Sequence, residues 1–443
     1  MRGYPEYKDS GVEWLGEIPS HWQQVTLGRC GGFSGGCGFP HEYQGKSSGE
    51  LPFYKVGDTN LKGNEKYLEK AENYVTQKIA IKLGATINRP GGIMFPKVGA
   101  ALLGNKRRIL SISGITDNNT MVFSPKEKDN DYWYYWLSIL DFGSLSNPGP
   151  VPSVNESQLK VIKVVRPPLA ERKSISNYLD RETARIDKLI TEKQNFIKLL
   201  KEKRQALISH VVTKGLDPDV KMRESGIEWI GEVPEHWAIS KLSYRHEVLL
   251  GKMLDDKKIT GKHLGRYLRN TDVQWDKIND CDLPQMDFKP SEVDRYQVRK
   301  GDLLVCEGGE IGRCAIWEKE KSCFYQKALH RLRPYSNKKD HTRFLFYVIS
   351  DAVNQERFIS RANKATIAHL PAETFRQYRF AFPLFEEQKE IADYLDCAKN
   401  KYDSLLDEVN VSIEYLKEHR TALISAAVTG KIDVRDQAKE SAT

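Results

Sequence analysis

No run among the 443 residues approaches the roughly 18 consecutive apolar positions that a membrane-spanning helix requires, and the opening MRGYPEYKDS lacks the apolar core of a secretion signal. These absences predict a soluble, cytoplasmic chain with no membrane partner. Cysteine is sparse. Cys30, Cys37, Cys281, Cys306, Cys314, Cys323 and Cys397 are odd in number, form no C-x-x-C pair and have no histidine at zinc-finger spacing. Free thiols in a reducing compartment, and no metal site, are the expectation. Catalytic signatures are missing as well. The glycine-rich stretches Gly31–Gly38 and Glu307–Arg313 fit neither the phosphate loop G-x-x-x-x-G-K-[ST] nor a dinucleotide fingerprint, and Ile259–His263 has a Gly-Lys pair without its flanking partners. No G-x-S-x-G, H-E-x-x-H or N-P-P-[YF] occurs. The chain is therefore expected to bind and not to catalyse.

What is present begins with a repetition. SGVEWLGEIPSHW (Ser10–Trp22) returns as SGIEWIGEVPEHW (Ser225–Trp237), identical at nine of thirteen positions, with Val12/Ile227, Leu15/Ile230 and Ile18/Val233 conserving size and apolarity. An offset of 215 residues is far beyond the 20 to 50 residue periods of solenoids, so the repeated unit is a whole domain. His21 and His236 hold the same place in each copy, which argues for an architectural role beside Trp22 and Trp237. A second pair follows in each half. PLAERKSISNYLD (Pro168–Asp180) answers PLFEEQKEIADYLD (Pro383–Asp396), and RQALISHVVTKG from Arg204 answers RTALISAAVTGK from Arg420, now offset by 216.

Each of these second segments reads as one long helix. It follows proline, carries Glu171 or Glu386 and Glu387 in its first turn, and meets no Gly or Pro before Gly215 or Gly430. Apolar residues run on two seven-residue tracks, Leu179, Ile186, Lys193, Leu200, Leu207 and Ile190, Ile197, Arg204, Val211. The second copy repeats them as Leu395, Tyr402, Val409, Leu416, Leu423 and Leu406, Ile413, Arg420, Ala427. So narrow a seam suits a coiled coil, and the simplest partner for each helix is the other. Some 45 residues would make a rod of ~65 Å. Arg204 and Arg420 interrupt both seams at one place, as register-fixing or outward-reaching side chains would.

The stretches between are mixed α/β, with short β-rich runs such as VIKVVRP, DLLVCEGG and TMVFSP set among Gly, Asn and Pro turns. PFYKVGDTN is loosely matched by GRYLRNTDV, and RPGGIMF by RKGDLLV, so the two variable regions share a fold while their sequences diverge. Their basic and amide residues are the functional lead, since Arg and Lys read guanine, Asn and Gln read adenine, and Glu accepts from cytosine. Lys97, Lys106, Arg107, Arg108, Asn118 and Asn119 fall in predicted loops of the first region, and Arg269, Asn270, Glu307, Arg313, Gln326, Lys327, His330 and Arg331 in those of the second. A net charge of +8 favours a polyanionic partner.

The doubled pattern, YKDSGVEWLGEIPSHW before a variable region and PPLAERKSISNYLD opening a long helix, resembles the DNA specificity subunit of type I restriction-modification systems over nearly the whole chain. The resemblance implies two target recognition domains of like mixed α/β fold, joined by two long helices in an antiparallel coiled coil with an internal pseudo-twofold repeat. Boundaries follow: residues 1–166 and 216–382 for the recognition domains, 167–215 and 383–431 for the helices, 432–443 for a tail. It also implies recognition of a split, asymmetric site in double-stranded DNA, two methyltransferase subunits docked on the chain, and motor-nuclease subunits joining them. Adenine methylation and restriction would then belong to those partners. S-adenosylmethionine, ATP and magnesium would sit on them, and no cofactor on this chain. Arg172 departs from the pattern where the second copy has glutamine, at a turn expected to meet partners. Two other readings stay open here: the recognition region of a fused restriction-methylation enzyme, against which stands the lack of a catalytic domain before Thr443, and a coiled-coil assembly protein indifferent to DNA.

Overall fold

The computed structural model describes residues 2–147, 149–255, 259–358 and 369–435. The chain divides into two compact units, Met1–Lys193 with Val411–Thr443 and Gln194–Asn410. This division differs from boundaries drawn on the repeat. Each unit takes one variable region and half of both long helices, because the helix seams find their apolar partners on each other.

In the first unit the main sheet has the strand order Gly31–Gly35, Thr120–Pro125, Ile93–Pro96, Arg108–Leu110 and Tyr67–Leu68, antiparallel except for the last pair. Strand alternation divides its side chains between two apolar layers. Ile93, Phe95, Ile109, Met121 and Phe123 meet Tyr132, Trp133 and Trp136 of helix α1 (Asn130–Ser138), whereas Met94, Leu110 and Val122 pack with Tyr54 and Leu68 on the other face. A sheet covered on both faces explains why these strands read as unbroken apolar runs. A ribbon of Gln23–Thr26 with Lys163–Arg166 closes the variable region onto the first long helix, α2 (Leu169–Lys214).

The second unit repeats the plan. Its sheet runs His246–Leu250, Leu329–Pro334, Leu303–Cys306, Cys314–Ile316, all antiparallel. Leu303 and Val305 face helix α3 (Thr342–Asn354), and Leu304 and Cys306 face a separate core with Leu268 and Tyr325. Ala238–Lys241 pairs with Arg379–Phe382 ahead of the second long helix, α4 (Phe385–Val428).

Within each unit the two long helices run antiparallel. In the first unit Glu171 of α2 lies 3.7 Å from Arg435, just beyond α4, while Asp187 further along α2 meets Arg420 of α4 at 2.9 Å. In the second unit Arg204 reaches Asp403 at 2.5 Å. Asp187 and Asp403 are the same position of the repeat, as are Arg204 and Arg420. The seam-breaking arginines do not stand alone, since Arg204 pairs with Asp403 and Arg420 with the repeat-equivalent Asp187, in both cases across to the other helix. Leu179, Ile186, Leu423 and Ala427 are buried in one unit, and Leu200, Val211, Leu395 and Leu406 in the other. Among the described residues no helix is long and apolar enough to cross a membrane, and all seven cysteines are free.

Both helices stop at a glycine in the left-handed region, Gly215 at φ +78° and Gly430 at φ +80°, the usual helix-ending conformation that other residues adopt at a cost. A Cβ on Gly215 would lie 3.4 Å from Trp237, and one on Gly430 3.0 Å from Trp22. The Asp433 amide then donates to the Arg2 carbonyl at 2.9 Å, and the Tyr7 hydroxyl donates to Gly430 O at 3.2 Å.

Two buried histidines of the second unit make its stability acid-sensitive. Burial pulls His246 down to about 3 and His330 to about 4, and neither ring nitrogen of His246 has a hydrogen-bond partner. Free histidine titrates near 6.5, so below that pH the unfolded chain binds protons that the folded chain refuses. Stability contributed by the neutral rings is full above about 6.5 and is lost as pH falls toward 4, at about 1.4 kcal/mol per histidine per pH unit. His246→Phe, which keeps a ring against Phe382 (6.3 Å between centroids), should make denaturant-measured stability fall less steeply across that window, leaving the share due to His330. A slope identical to that of the parent would contradict the assignment.

Candidate nucleic-acid interface

The glycine-rich stretch near residue 36 has a purely steric task. A Cβ on Gly36 would sit 1.9 Å from the Asp117 carbonyl, and one on Gly251 2.2 Å from the Gln326 carbonyl, so only glycine lets these backbones touch. Next to each glycine, a bridge joins Cys37 to Asp117 and Lys252 to Gln326. From this fixed point the two units can be laid residue on residue. The Lys97 amide donates to Asn119 O at 2.8 Å, and the Glu307 amide to Ala328 O at 3.0 Å. Val154 and Leu370 donate to the carbonyls of Lys97 and Glu307 at 2.9 and 2.8 Å. The Asp117 amide donates to Tyr54 O and the Gln326 amide to Leu268 O, at 3.0 and 3.1 Å. One backbone cradle therefore occurs twice with different side chains. The first unit places Lys97, Asp117, Asn118 and Asn119 on it, and the second places Glu307, Gln326, Lys327 and Ala328. Asn118, Asn119 and Lys327 are exposed, and Lys97, Glu307 and Gln326 half-buried. Burial pushes the Glu307 carboxyl above the usual range, against the opposing charges of His369 and Lys327.

A short 3-10 turn flanks each cradle. Asp58 Oδ2 accepts from the Lys55 amide at 2.6 Å, and Asp272 Oδ2 from the Arg269 amide at 2.8 Å. The Arg269 guanidinium lies on Asp272 through both Nε and Nη2, and Asn270 Oδ1 accepts from Arg313 Nη2 at 2.9 Å while its amide donates to Gly308 O. Arg313 also meets Glu310 at 3.2 Å. All three side chains are partly buried and already engaged within their unit, Arg269 by Asp272 and Arg313 by Asn270 and Glu310. Lys106 is exposed beside Asn60.

Three residues lie on strands and not in the loops expected for them, and a fourth, Arg107, keeps its loop position but is buried. Arg108 lies on strand Arg108–Leu110 with Nη2 on the Thr59 carbonyl at 2.9 Å. Arg107 is 2% exposed, its guanidinium 4.1 Å from the Phe142 ring centre and its Nη2 on Leu140 O. His330 and Arg331 lie on strand Leu329–Pro334, fully buried. His330 Nε2 meets Leu370 O at 2.8 Å, and Arg331 is spent on Glu247 and the carbonyls of Arg295 and Gln297. Bases cannot reach Arg107, His330 or Arg331, so these three leave the set of base readers.

Residues 19–199 and 270–415, most of the chain, match the family model of the type I restriction modification DNA specificity domain. The chain belongs to this family. It is a DNA-recognising, non-catalytic component of a restriction system that assembles with other subunits. The MjaVIII type I specificity subunit of Methanocaldococcus jannaschii is 22% identical over 463 aligned residues, covering 98% of each chain. The EcoBI specificity subunit of Escherichia coli is 24% identical over 285, covering 62% of this chain and 59% of that one. Among solved structures, the HsdS subunit from Thermoanaerobacter tengcongensis gives a TM-score of 0.55 at 15% identity, over 94% of this chain and 98% of its own. A chain from a structure concerned with complex assembly and conformational transition of the type I R-M system gives 0.71 at 15% identity, over 94% and 99%. Both share the fold.

Two residues of this specificity chain's first cradle and its flanking turn, the half-buried Lys55 and the buried Asp117, escaped the sequence reading. Lys55 is the counterpart of Arg269 and Asp117 that of Gln326. The signal for Lys55 lay in the loose match of PFYKVGDTN to GRYLRNTDV. Nothing in the sequence aligned Asp117, because the segments before it differ in length between the copies. The departure at Arg172 is also resolved: its side chain is buried against Asp129 and Glu127 of its own unit, and Gln388 is likewise turned inward, donating to Lys339 O and Pro383 O.

Proposed function

We propose that this chain reads a bipartite, asymmetric site in double-stranded DNA, one half with each variable domain. It would direct adenine methylation and restriction by two methyltransferase subunits and by motor-nuclease subunits in the cytoplasm. S-adenosylmethionine, ATP and magnesium would be held by those partners. One observation carries the reading: the same cradle presents a lysine and two asparagines in one unit and a glutamate, a glutamine and a lysine in the other. A frame that is kept while its displayed donors and acceptors change is what two independent readers of unlike half-sites require.

Lys97→Ala or Asn119→Ala should relax base preference in one half-site, and Glu307→Ala or Gln326→Ala in the other. Each lost pairing is worth about 1–3 kcal/mol of discrimination, so preference at one position should fall by about five- to 150-fold. The measurement is methylation of a randomised site library by the full chain with its methyltransferase subunits. Equal loss in both halves would overturn the assignment of one domain to each half.

A further inference from the structure

In the first unit a cleft of about 380 Å³ is lined by Lys106, Arg107, Arg108 and Arg420, with Glu65 and Tyr134 among its other walls. Arg420 is neutralised by Asp187. Among the described residues, Lys106, Arg107 and Arg108 have no carboxylate within ion-pair distance. Their hydrogen bonds go to the Asn60 side chain and to the carbonyls of Asn105, Leu140, Arg107 and Thr59. The Nε atoms of Arg107 and Arg108 are buried and have no partner at all. Glu65, the facing acid, is exposed and accepts from the Gly63 amide at 3.0 Å. A buried guanidinium is ordinarily paired, because carbonyl dipoles repay only part of its lost hydration. Burial accordingly pulls both arginines below their usual range.

These cations are not part of the common frame. Ile93 pairs with Ile109 as Leu303 pairs with Ile316, and Met94 with Arg108 as Leu304 with Ala315. The counterparts of Arg108 and Arg107 are therefore Ala315 and Cys314, neutral and fully buried. Shared architecture needs no charge at either place, so the first unit carries its cations for something the second lacks.

We propose that this cleft binds a phosphate group, and specifically a backbone phosphate of DNA. The exposed Lys106 ammonium and the half-buried Arg108 fork at the open cleft, with the buried charge of Arg107 behind them, suit a tetrahedral oxyanion, whose several oxygens accept from more than one donor at once. The source of the phosphate rests on the DNA-recognition reading above. The contact is blind to sequence and adds grip on one side of the recognised site only.

The test uses the full chain, with its methyltransferase subunits where needed for tight binding, and compares the parent with Lys106→Ala, Arg108→Met and Arg107→Met. Affinity for specific and unrelated duplexes should fall alike, by about tenfold at low salt for a lost charged hydrogen bond. The plot of log affinity against log salt should become shallower by about 0.9 per phosphate lost. The methylated sequence should not change. Should Arg107→Met not fold, the two less buried variants decide the matter. Folded variants with unaltered affinity and salt slope overturn the cleft while leaving DNA recognition intact. Failure of the parent to bind DNA overturns the recognition reading itself. Inorganic phosphate is the second probe, against chloride at matched ionic strength. If it raises the melting temperature of the parent and not of the variants, with salt slopes unchanged, the site belongs to free phosphate. Loss of subunit assembly without change in DNA grip would assign it to a protein carboxylate. Either result refutes a backbone contact.

Discussion

Trp22→Ala will cost the first unit about 3–5 kcal/mol of unfolding free energy, the range for emptying a buried tryptophan site, and Trp237→Ala will do the same to the second. Both rings are buried and both do two things at once. Trp22 Nε1 donates to Glu171 Oε2 at 3.0 Å, the oxygen that His21 Nε2 also meets at 2.9 Å. Trp237 Nε1 donates to Glu387 Oε1 at 2.9 Å, and His236 meets the other oxygen at 2.8 Å. Tyr4 packs edge-on to Trp22 and Phe344 to Trp237. The His-Trp pair of the repeated opening motif therefore fastens the entry of each variable region to a glutamate in the first turn of a long helix. Trp→Phe at either place keeps most of the packing but leaves the carboxylate short of a donor, and should fall between parent and alanine. Denaturant unfolding, with hydrogen exchange to locate the weakened unit, checks both. A loss below about 1 kcal/mol would show that the surrounding core collapses into the space.

Arg172→Ala will be comparably damaging at neutral pH, by about 3–5 kcal/mol. The Arg172 and Asp129 side chains are 3% and 1% exposed and directly paired, with Glu127 as a second, more exposed partner. Arg172 Nε also donates to Pro167 O at 3.0 Å, and Asp129 accepts from Trp133 Nε1 at 2.7 Å. Burial raises the Asp129 carboxyl, with Arg172 opposing. Without the arginine only the Trp133 hydrogen bond opposes that rise, so the carboxylate is carried at a penalty above its shifted pKa and relieved by protonation below it. The stability gap between variant and parent should accordingly narrow from pH 7 to pH 4. Asp129→Asn combined with Arg172→Met should recover most of the loss, since removing both charges removes the unpaired one. A gap independent of pH would mean that packing, not charge, explains the damage.

The parts of this fold legible in the sequence are those in which local pattern and burial coincide. Both long helices, at Leu169–Lys214 and Phe385–Val428, fall inside the segments marked out by the second repeat, because heptad spacing, an acidic first turn and a terminal glycine are all local signals. The strand runs around Phe95 and Val305 were visible for the same reason. Charged residues whose partners are distant in sequence were not. Arg331 sits on an interior strand because Glu247 and three carbonyls await it, and no pattern around Arg331 announces them. Arg107 and His330 share that origin. The partner of either arginine, Arg204 or Arg420, fixes that of the other, since in an antiparallel pair of repeated helices a contact between two positions recurs between their repeat equivalents. The cradle lay at the limit: its residue types were noticed in both copies, but their correspondence depends on carbonyl positions that only the folded backbone supplies.

The contact of Asp433 with Arg2, and the stacking of Gly430 near Trp22 as Gly215 stacks near Trp237, give the repeat a circular order. Each long helix delivers the chain to a His-Trp motif, the first to the copy that follows it and the second to the copy that began the sequence. Which copy stands first is then a matter of where the circle is cut, and a permuted sequence opening near Asp217 would list the same contacts in another order. Those contacts join the long helices to the repeated opening motifs and involve neither cradle, so replacing the side chains of one cradle would leave the cycle untouched.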